Sequence, residues 1–339
     1  MSALDSGTSV TASVAHRRER TALERLARHP AGPVSGLYVV ALVACVVFGL
    51  AYPDDFAFLS RENVVVNLRA IPLLGVLGLG VGLLMISGEF DLSVGSVYTL
   101  APMATALAFS EGWPIALAVA LALGIGLVVG LVNGMVTLRF GIPSFIATLG
   151  MLLFLRGVTR FVSGHASEVF NPGNVMERVL TGEIGWIQAQ FLWLIGFAFA
   201  AYILLNRHRF GNHMYAVGGN KAAAISIGIN VNRVKLIAFV MCSVLAVVAG
   251  LFSATRTNAV SLTQGRNLEL QAIAVCVVCG LFLFGGRGSI LGIIVGAAFI
   301  YLVNDILLLI RAPGFYFQAF VGAIVITAVA MNAWMARRG

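Results

Sequence analysis

Ten long apolar runs, separated by short polar segments, occupy most of this chain. A helix that crosses a bilayer needs about 20 mainly apolar residues, and 59% of the 339 residues are hydrophobic while only 11% are charged. With so few polar residues, we expect no fused ATPase, kinase or nuclease domain. The pattern predicts an all-α, polytopic membrane helical bundle of about ten transmembrane helices, with spans near residues 36–52, 70–86, 92–110, 113–138, 143–162, 187–206, 234–254, 268–284, 289–310 and 314–333.

The basic residues are distributed unevenly between the two sides of such a bundle. With the amino terminus inside, 14 of the 22 Lys and Arg residues fall on the cytoplasmic side, and as many acidic as basic residues lie outside. Cytoplasmic segments of membrane proteins carry an excess of Lys and Arg, so this bias predicts that both termini are cytoplasmic. Residues 1–35 are then a polar cytoplasmic tail, expected to be disordered. Residues 36–335 form a single transmembrane domain with a basic cytoplasmic loop at 207–235.

Glycines recur at intervals of four residues within the fourth apolar run. Gly126, Gly130 and Gly134 would lie on one face of a helix, where the absence of side chains lets a neighbouring backbone approach closely. This spacing predicts close helix packing and carries no information about a substrate.

A polar break interrupts the apolar sequence at residues 86–96. Glu89 and Asp91 would be costly at the bilayer centre, on the order of 3 kcal/mol each, so we expect them at an interface, in a cavity or at a helix start. One interpretation is that Asp91 or Ser93 caps the next helix by accepting hydrogen bonds from its first N–H groups. The other is that the break lines or gates a translocation path, and the two are compatible.

The longest basic segment, 207–235, contains a short stretch bounded by glycines. Gly218 and Gly219 permit a turn, Asn220 can cap a helix over 221–227, and Gly228 can end it. A short helix of this kind suits a mechanical contact with a soluble partner. It lacks the pattern of a phosphate-binding loop, and an ordinary basic loop near anionic lipid headgroups is the alternative.

A few polar residues lie inside the predicted spans. Such side chains usually bond a neighbouring helix, but a polyhydroxyl solute would also need neutral donors and acceptors along its path. Asp305, the acid within an apolar run, could serve proton coupling, although the sequence offers it no evident basic partner. The neutral members of the set are Asn133, Thr148, Gln271, Asn304, Gln318 and Asn332.

The residue types that enzymes use for catalysis are not grouped in this sequence. The five histidines stand at no metal-ligand spacing with Cys, Asp or Glu, and there is no G-x-S-x-G element. Cys276 and Cys279 have the spacing of a metal or redox pair, but their apolar surroundings favour helix-packing thiols. We therefore predict a non-catalytic chain without a metal or cofactor of its own.

The order of several short motifs between residues 60 and 330 resembles the permease subunits of ATP-binding-cassette (ABC) importers, in particular the ribose, xylose and arabinose type within the wider branched-chain amino acid permease group. Phe90, where that group more often has Ile, is a mild departure. The motifs are SGEFDLSVGS at 87–96, GLVNG at 130–134, IPSFIATLG at 142–150, LRG at 155–157, AVGGN at 216–220, GINV at 228–231 and GGRGS at 285–289.

The resemblance implies a bacterial inner-membrane permease that translocates a pentose, hexose or related polyol. It implies a second permease subunit, identical or paralogous, an external binding protein, and cytoplasmic ATPase subunits that bind the ATP and Mg²⁺; it implies no nucleic acid partner. The residues expected to couple to the ATPase are Gly218, Gly219, Asn220, Lys221, Ala223, Ala224, Gly228 and Asn230. Those expected along the path or gate are Glu89, Asp91, Ser93, Asn133, Thr148, Asn304 and Gln318.

Other functions remain open at this point. Nucleosides and branched-chain amino acids are alternative solutes within the same group. A secondary transporter would work alone and use an ion or proton gradient, and a polytopic membrane enzyme would place a cluster of catalytic polar groups at one depth.

Overall fold

The protein is described by a computed structural model that covers residues 32–52, 56–184 and 187–336. These residues form thirteen α-helices, a short 3-10 turn at Ala57–Leu59 and two pairs of two-residue strands. The helices are α1 (Gly32–Ala51), α2 (Arg61–Ile86), α3 (Val94–Ser110), α4 (Ile115–Phe140), α5 (Ser144–Val162), α6 (Asn174–Thr181), α7 (Ala189–Asn206), α8 (Arg209–Gly219), α9 (Lys221–Ser226), α10 (Val231–Thr257), α11 (Leu268–Val278), α12 (Ile290–Leu309) and α13 (Phe315–Ala336). The antiparallel strand pairs are β1 (Glu168–Val169) with β4 (Ala259–Val260), and β2 (Glu183–Ile184) with β3 (Ile187–Gln188).

The apolar helices confirm a polytopic membrane bundle. Six of the described helices, α2, α4, α5, α7, α10 and α12, are long and apolar enough to cross a membrane. Four shorter apolar helices accompany them, formed by α3, α11 and parts of α1 and α13. Residues 1–31, which make up most of the predicted tail, lie outside the described residues.

Helix α10 lies at the centre of the bundle and packs most extensively against α4, α2 and α3. The predicted glycine stripe of α4 faces it: a Cβ at Gly130 would lie 2.7 Å from the Cα of Val240, and one at Gly126 would lie 2.6 Å from a methyl of Val247. Only a helix without side chains along this line can come so close to α10. The packing role predicted for these glycines is therefore confirmed.

The bundle has two distinct ends, at opposite ends of α10. Helix α9 immediately precedes α10, and strand β4 immediately follows it, so the 27 residues of α10 separate the two ends by about 40 Å. We call them the α9 end and the strand end. The α9 end corresponds to the side predicted to be cytoplasmic.

Three segments differ from the sequence-based expectation. Helix α2 begins nine residues before the predicted span, because the Ser60 hydroxyl caps it by accepting from the Asn63 N–H at 3.1 Å. Gly218 and Gly219, expected in a turn, are the last residues of α8. The span expected at 268–284 ends as a helix at Val278, after which Gly280 and Gly285 adopt positive φ angles of 82° and 86° that side chains disfavour.

Candidate functional site

The polar break between α2 and α3 is tied to the start of α10 by an ion pair. Lys235 Nζ lies 2.5 Å from Glu89 Oε1, and their side chains are 9% and 14% exposed. A partly buried pair of this kind is screened much less than a surface pair. It therefore fixes the position of the break relative to α10.

Asp91 accepts hydrogen bonds from three segments of the bundle. Its carboxylate, in a residue that is 1% exposed, accepts from the Ser93 N–H and hydroxyl at 2.8 and 2.6 Å, from Asn133 Nδ2 of α4 at 3.2 Å, and from Ser243 Oγ of α10 at 3.5 Å. A buried carboxylate is tolerated when its oxygens are satisfied in this way. Asp91 therefore joins the break to both α4 and α10.

The backbone of the break is also bonded to α5. The Phe90 N–H donates to Ser144 Oγ, and the Leu92 N–H donates to Thr148 Oγ1, each at 3.1 Å. Three helices, α4, α5 and α10, thus converge on residues 87–93 through side-chain hydrogen bonds.

The structure does not support the simple capping interpretation of the break. Ser93 is the N-cap residue of α3, but its side chain makes no capping hydrogen bond. Asp91 accepts from the N–H of Ser93 itself, which is a local turn contact and not a bond to the first helical N–H groups. Of the seven predicted path residues, five, namely Glu89, Asp91, Ser93, Asn133 and Thr148, belong to this one network.

At the α9 end, three chain segments meet through their backbones. The Gly286 N–H donates to the Ile86 carbonyl at the end of α2, at 2.9 Å. A Cβ at Gly218, near the end of α8, would overlap that same carbonyl oxygen, whereas a Cβ at Gly219 would lie 3.8 Å from its nearest neighbour. We call the contact among Ile86, Gly218 and Gly285–Gly286 the glycine junction. Gly218 therefore packs against the end of α2 and the turn at Gly285–Gly286.

Helix α9 projects from this junction. Its N-cap, Asn220, accepts from the Ala223 N–H at 3.0 Å, which confirms the predicted cap, and Asn230 caps α10 in the same manner. Gly228, with a φ of 83°, lies between them. Within α9, Ala224 is buried, while Ile225 and the following Ile227 are 57% and 73% exposed. Lys221 and Ala223 are exposed as well.

A second polar region lies near the strand end. Asn304 of α12 and Gln271 of α11 line a cavity of about 310 Å³, to which the polar break contributes no residue. Gln318 of α13, also predicted along a path, is exposed and does not line this cavity. The side chain of Asn332 lies outside those that the structure describes.

Asp305 and the cysteine pair are packed inside the bundle. The Asp305 carboxylate accepts from Asn63 Nδ2 at 3.0 Å and from Asn67 Nδ2 at 3.1 Å, so two amides of α2 are its partners. Cys276 and Cys279 are buried free thiols. In the described ranges, no group of three or more His, Cys, Asp or Glu side chains is placed to hold a metal ion.

Several residues of these sites were not singled out from the sequence. The partners of the break, Lys235, Ser243 and Ser144, are brought to it by the fold. Lys235 could have been found as a lysine at the edge of an apolar run, where a buried acid is the natural partner. Nothing in the sequence distinguishes Ser243 and Ser144 from other small residues in helices.

Comparison with known proteins gives the family. The model of the family described as branched-chain amino acid transport system / permease component matches residues 63–329. The chain is 36% identical over 310 residues to the probable ABC transporter permease protein YphD of Escherichia coli K12, covering 89% of this chain and 90% of that protein. It is 34% identical to the ribose import permease protein RbsC of the same strain (85% and 89%), and 31% identical to the autoinducer 2 import system permease protein LsrC of Enterobacter sp. strain 638 (86% and 84%). No solved structure matches the chain.

The fold and these comparisons define a multi-pass membrane permease of the ABC transporter class. The chain belongs to the branched-chain amino acid transport system / permease component family.

Proposed function

We propose that this chain is the membrane-spanning, non-catalytic subunit of an importer for a monosaccharide or a related polyol. An external binding protein delivers the solute, and separate cytoplasmic ATPase subunits supply the energy by binding ATP and Mg²⁺. A second permease subunit, identical or paralogous, completes the path. Two of the relatives are named for the import of ribose and of autoinducer 2, which favours this class of solute over amino acids.

Helix α9 is the observation that carries the proposal. It is a short helix with a capped start, followed by Gly228 and the capped start of α10, and it presents Ile225 and Ile227 outside the packed bundle. Exposed large apolar side chains beyond the spans are suited to a groove on a soluble protein. Lys221, also exposed, adds a charge that can steer an acidic surface toward the same helix.

A docked ATPase can move the bundle through this helix only if the joints around it are stiff. Backbone contacts at the glycine junction join α8 to the end of α2, and the Glu89–Lys235 ion pair joins the start of α10 to the polar break. The break in turn bonds to α4 and α5. Displacement of α9 would therefore shift α2, α4, α5 and α10 together, as switching between two bundle arrangements requires.

The test is to express the permease variants Ile225→Asp and Ile227→Asp together with the cognate ATPase and binding protein. Both changes place a carboxylate on the exposed face of α9, so we expect loss of ATPase co-purification and of ATP-driven uptake in proteoliposomes, with an unchanged Tm. Asn212→Asp, on the exposed face of α8, is the matched control. Uptake by the chain alone, driven by a proton gradient, would instead identify a secondary transporter.

A further inference from the structure

The cavity near the strand end lies between six helices of the bundle. It has a volume of about 310 Å³ and is bounded by α2, α3, α10, α11, α12 and α13. Ligand pockets for small molecules begin at about 300 Å³, so the cavity can hold one small solute and excludes an oligomer. The polar break and the glycine junction contribute nothing to its lining.

One wall of the cavity is backbone that leaves regular structure inside the bundle. After β4, the segment 261–267 turns back between the helices, where the Gly265 N–H donates to Thr99 Oγ1 at 3.1 Å. Thr99 is 11 residues before the end of α3, so the segment reaches about 16 Å below that end. Helix α11 then starts within the bundle and has 11 residues, which span about 16 Å.

Irregular backbone at this depth has a physical requirement. It is stable in a membrane protein only where it is buried in protein or lines a water-filled cavity. Gln264 of this segment and Leu268 and Gln271 at the start of α11 all line the cavity. The return of the chain into the bundle therefore creates a polar wall that a continuous helix would not provide.

The polar side chains of the wall have hydrogen-bonding capacity to spare. Within the described part of the chain, the side chains of Arg256, Gln271 and Asn304 make no hydrogen bond to another protein group, and Gln264 uses one N–H, toward the Tyr98 carbonyl at 3.3 Å. The nearest acid on α11, Glu269, is paired with Arg156 at 3.0 Å and does not line the cavity. Arg256 is thus the charged residue of a lining that otherwise consists of amides, hydroxyls and apolar side chains.

We infer that this cavity is a binding site for one neutral monosaccharide on its way through the permease, an inference that rests on the proposed function. Amide side chains carry both donors and acceptors, which matches hydroxyl groups that do the same. The guanidinium of Arg256 adds donors for hydroxyl or ring oxygens, and Phe317 adds an apolar face for the carbon side of the ring. The seven polar side chains that line it are Tyr98, Ser253, Arg256, Gln264, Gln271, Tyr301 and Asn304.

The first experiment measures uptake by the assembled importer with the variants Gln271→Leu and Asn304→Leu. Each replaces an amide by an apolar group of similar size, and loss of one or two hydrogen bonds to the sugar should raise KM about 3- to 10-fold. Asn206→Leu, at an exposed position at the end of α7, is the control and should leave KM unchanged. The panel is D-ribose, D-xylose, L-arabinose and D-glucose. Equal KM values in all three variants would overturn the site.

The second experiment needs no transport. Membrane vesicles that carry the variant Asn304→Cys are treated from outside with a charged methanethiosulfonate reagent, and the rate of modification of the new thiol is measured. The measurement is made with and without D-ribose, the other panel sugars or the anion D-ribonate. The four native cysteines are buried, so modification reports the cavity.

We expect at least one of the sugars to slow the modification of the introduced cysteine. If none of the sugars slows the modification, the cavity holds water only. If D-ribonate alone slows it, the cavity is an anion site. Either result overturns the inference. Protection by a sugar in a chain that shows no ATP-driven uptake would uphold the cavity site and reject the proposed function.

Discussion

Lys235 Nζ and Glu89 Oε1 are 2.5 Å apart although 146 residues separate them in the chain. Lys235 stands near the start of α10, directly after the exposed helix α9, and Glu89 stands in the break that follows α2. The ion pair therefore connects the segment proposed to meet the ATPase with the polar break, to which α4, α5 and α10 bond.

Removing one member of this pair should lower the free energy of unfolding more than removing both. Lys235→Met leaves the Glu89 carboxylate partly buried without its cation, which should lower the free energy of unfolding on the order of 3 kcal/mol. The double variant Lys235→Met, Glu89→Gln should recover most of that loss. Thermal unfolding of the unaltered permease, the two single variants and the double variant gives a double-mutant cycle, and uptake is measured for the same proteins. Additive losses in the double variant would mean that the two side chains do not interact.

Asp91→Leu should impair stability and uptake together. The change removes an acceptor used by Ser93 and Asn133 and leaves buried donors unsatisfied, at about 1–3 kcal/mol each. Thermal unfolding and uptake are measured on the same preparation. Unchanged stability with lost uptake would show that Asp91 acts in gating and is not needed to hold the break together.

The glycine junction offers a matched pair of neighbouring substitutions. Gly218→Ala should lower the free energy of unfolding by about 1–3 kcal/mol, because its methyl overlaps the Ile86 carbonyl. Gly219→Ala should have little effect, since its Cβ finds ordinary van der Waals space. The Tm of each variant is measured. Equal Tm values would mean that the junction can open to admit a methyl group at Gly218 without loss of stability.

The glycine stripe of α4 permits the same design within one helix. Gly130→Ala should lower Tm by several degrees, since its Cβ would lie 2.7 Å from the Cα of Val240. A Cβ at Gly124 would have no neighbour within 4 Å, so Gly124→Ala should stabilise the helix by up to about 1 kcal/mol through its higher helix propensity. We expect opposite signs for the two shifts. A stabilising Gly130→Ala would show that α4 and α10 can move apart freely.

Asp305→Asn tests whether the buried acid carries protons. Two amides of α2 donate to Asp305, and asparagine keeps a carbonyl acceptor for them, so the free energy of unfolding should fall by only about 1–2 kcal/mol. The dependence of uptake on external pH should stay that of the unaltered chain. Loss of a proton-driven component of uptake would favour the secondary-transporter alternative.

The parts of the fold that depend on local sequence could be predicted. Apolar runs give the membrane helices because lipid requires about 20 apolar residues per span, and the Asn220 cap depends on a side chain and a backbone N–H three residues apart. The stripe Gly126–Gly130–Gly134 is likewise a local pattern, and its packing against α10 follows from helix geometry.

The parts that depend on distant contacts could not be predicted. The hydropathy pattern predicted a span over 268–284, but α11 ends at Val278. Apolar composition carries no information about the positive φ angle at Gly280. Glu89 and Asp91 were recognised as unusual, but their partners Lys235, Asn133 and Ser243 come from other helices. The capping interpretation of the break is not supported, because Asp91 accepts from Ser93, Asn133 and Ser243 and not from the first N–H groups of α3.

The short helix α11 also has a consequence for how the protein is made. Its 11 residues are too few to span a bilayer by themselves, and the irregular segment 261–267 before it would expose unpaired backbone groups to lipid. This part of the chain therefore cannot enter the membrane as an independent unit during synthesis. It needs α3 and α10, which precede it in the chain, to be in place to receive it.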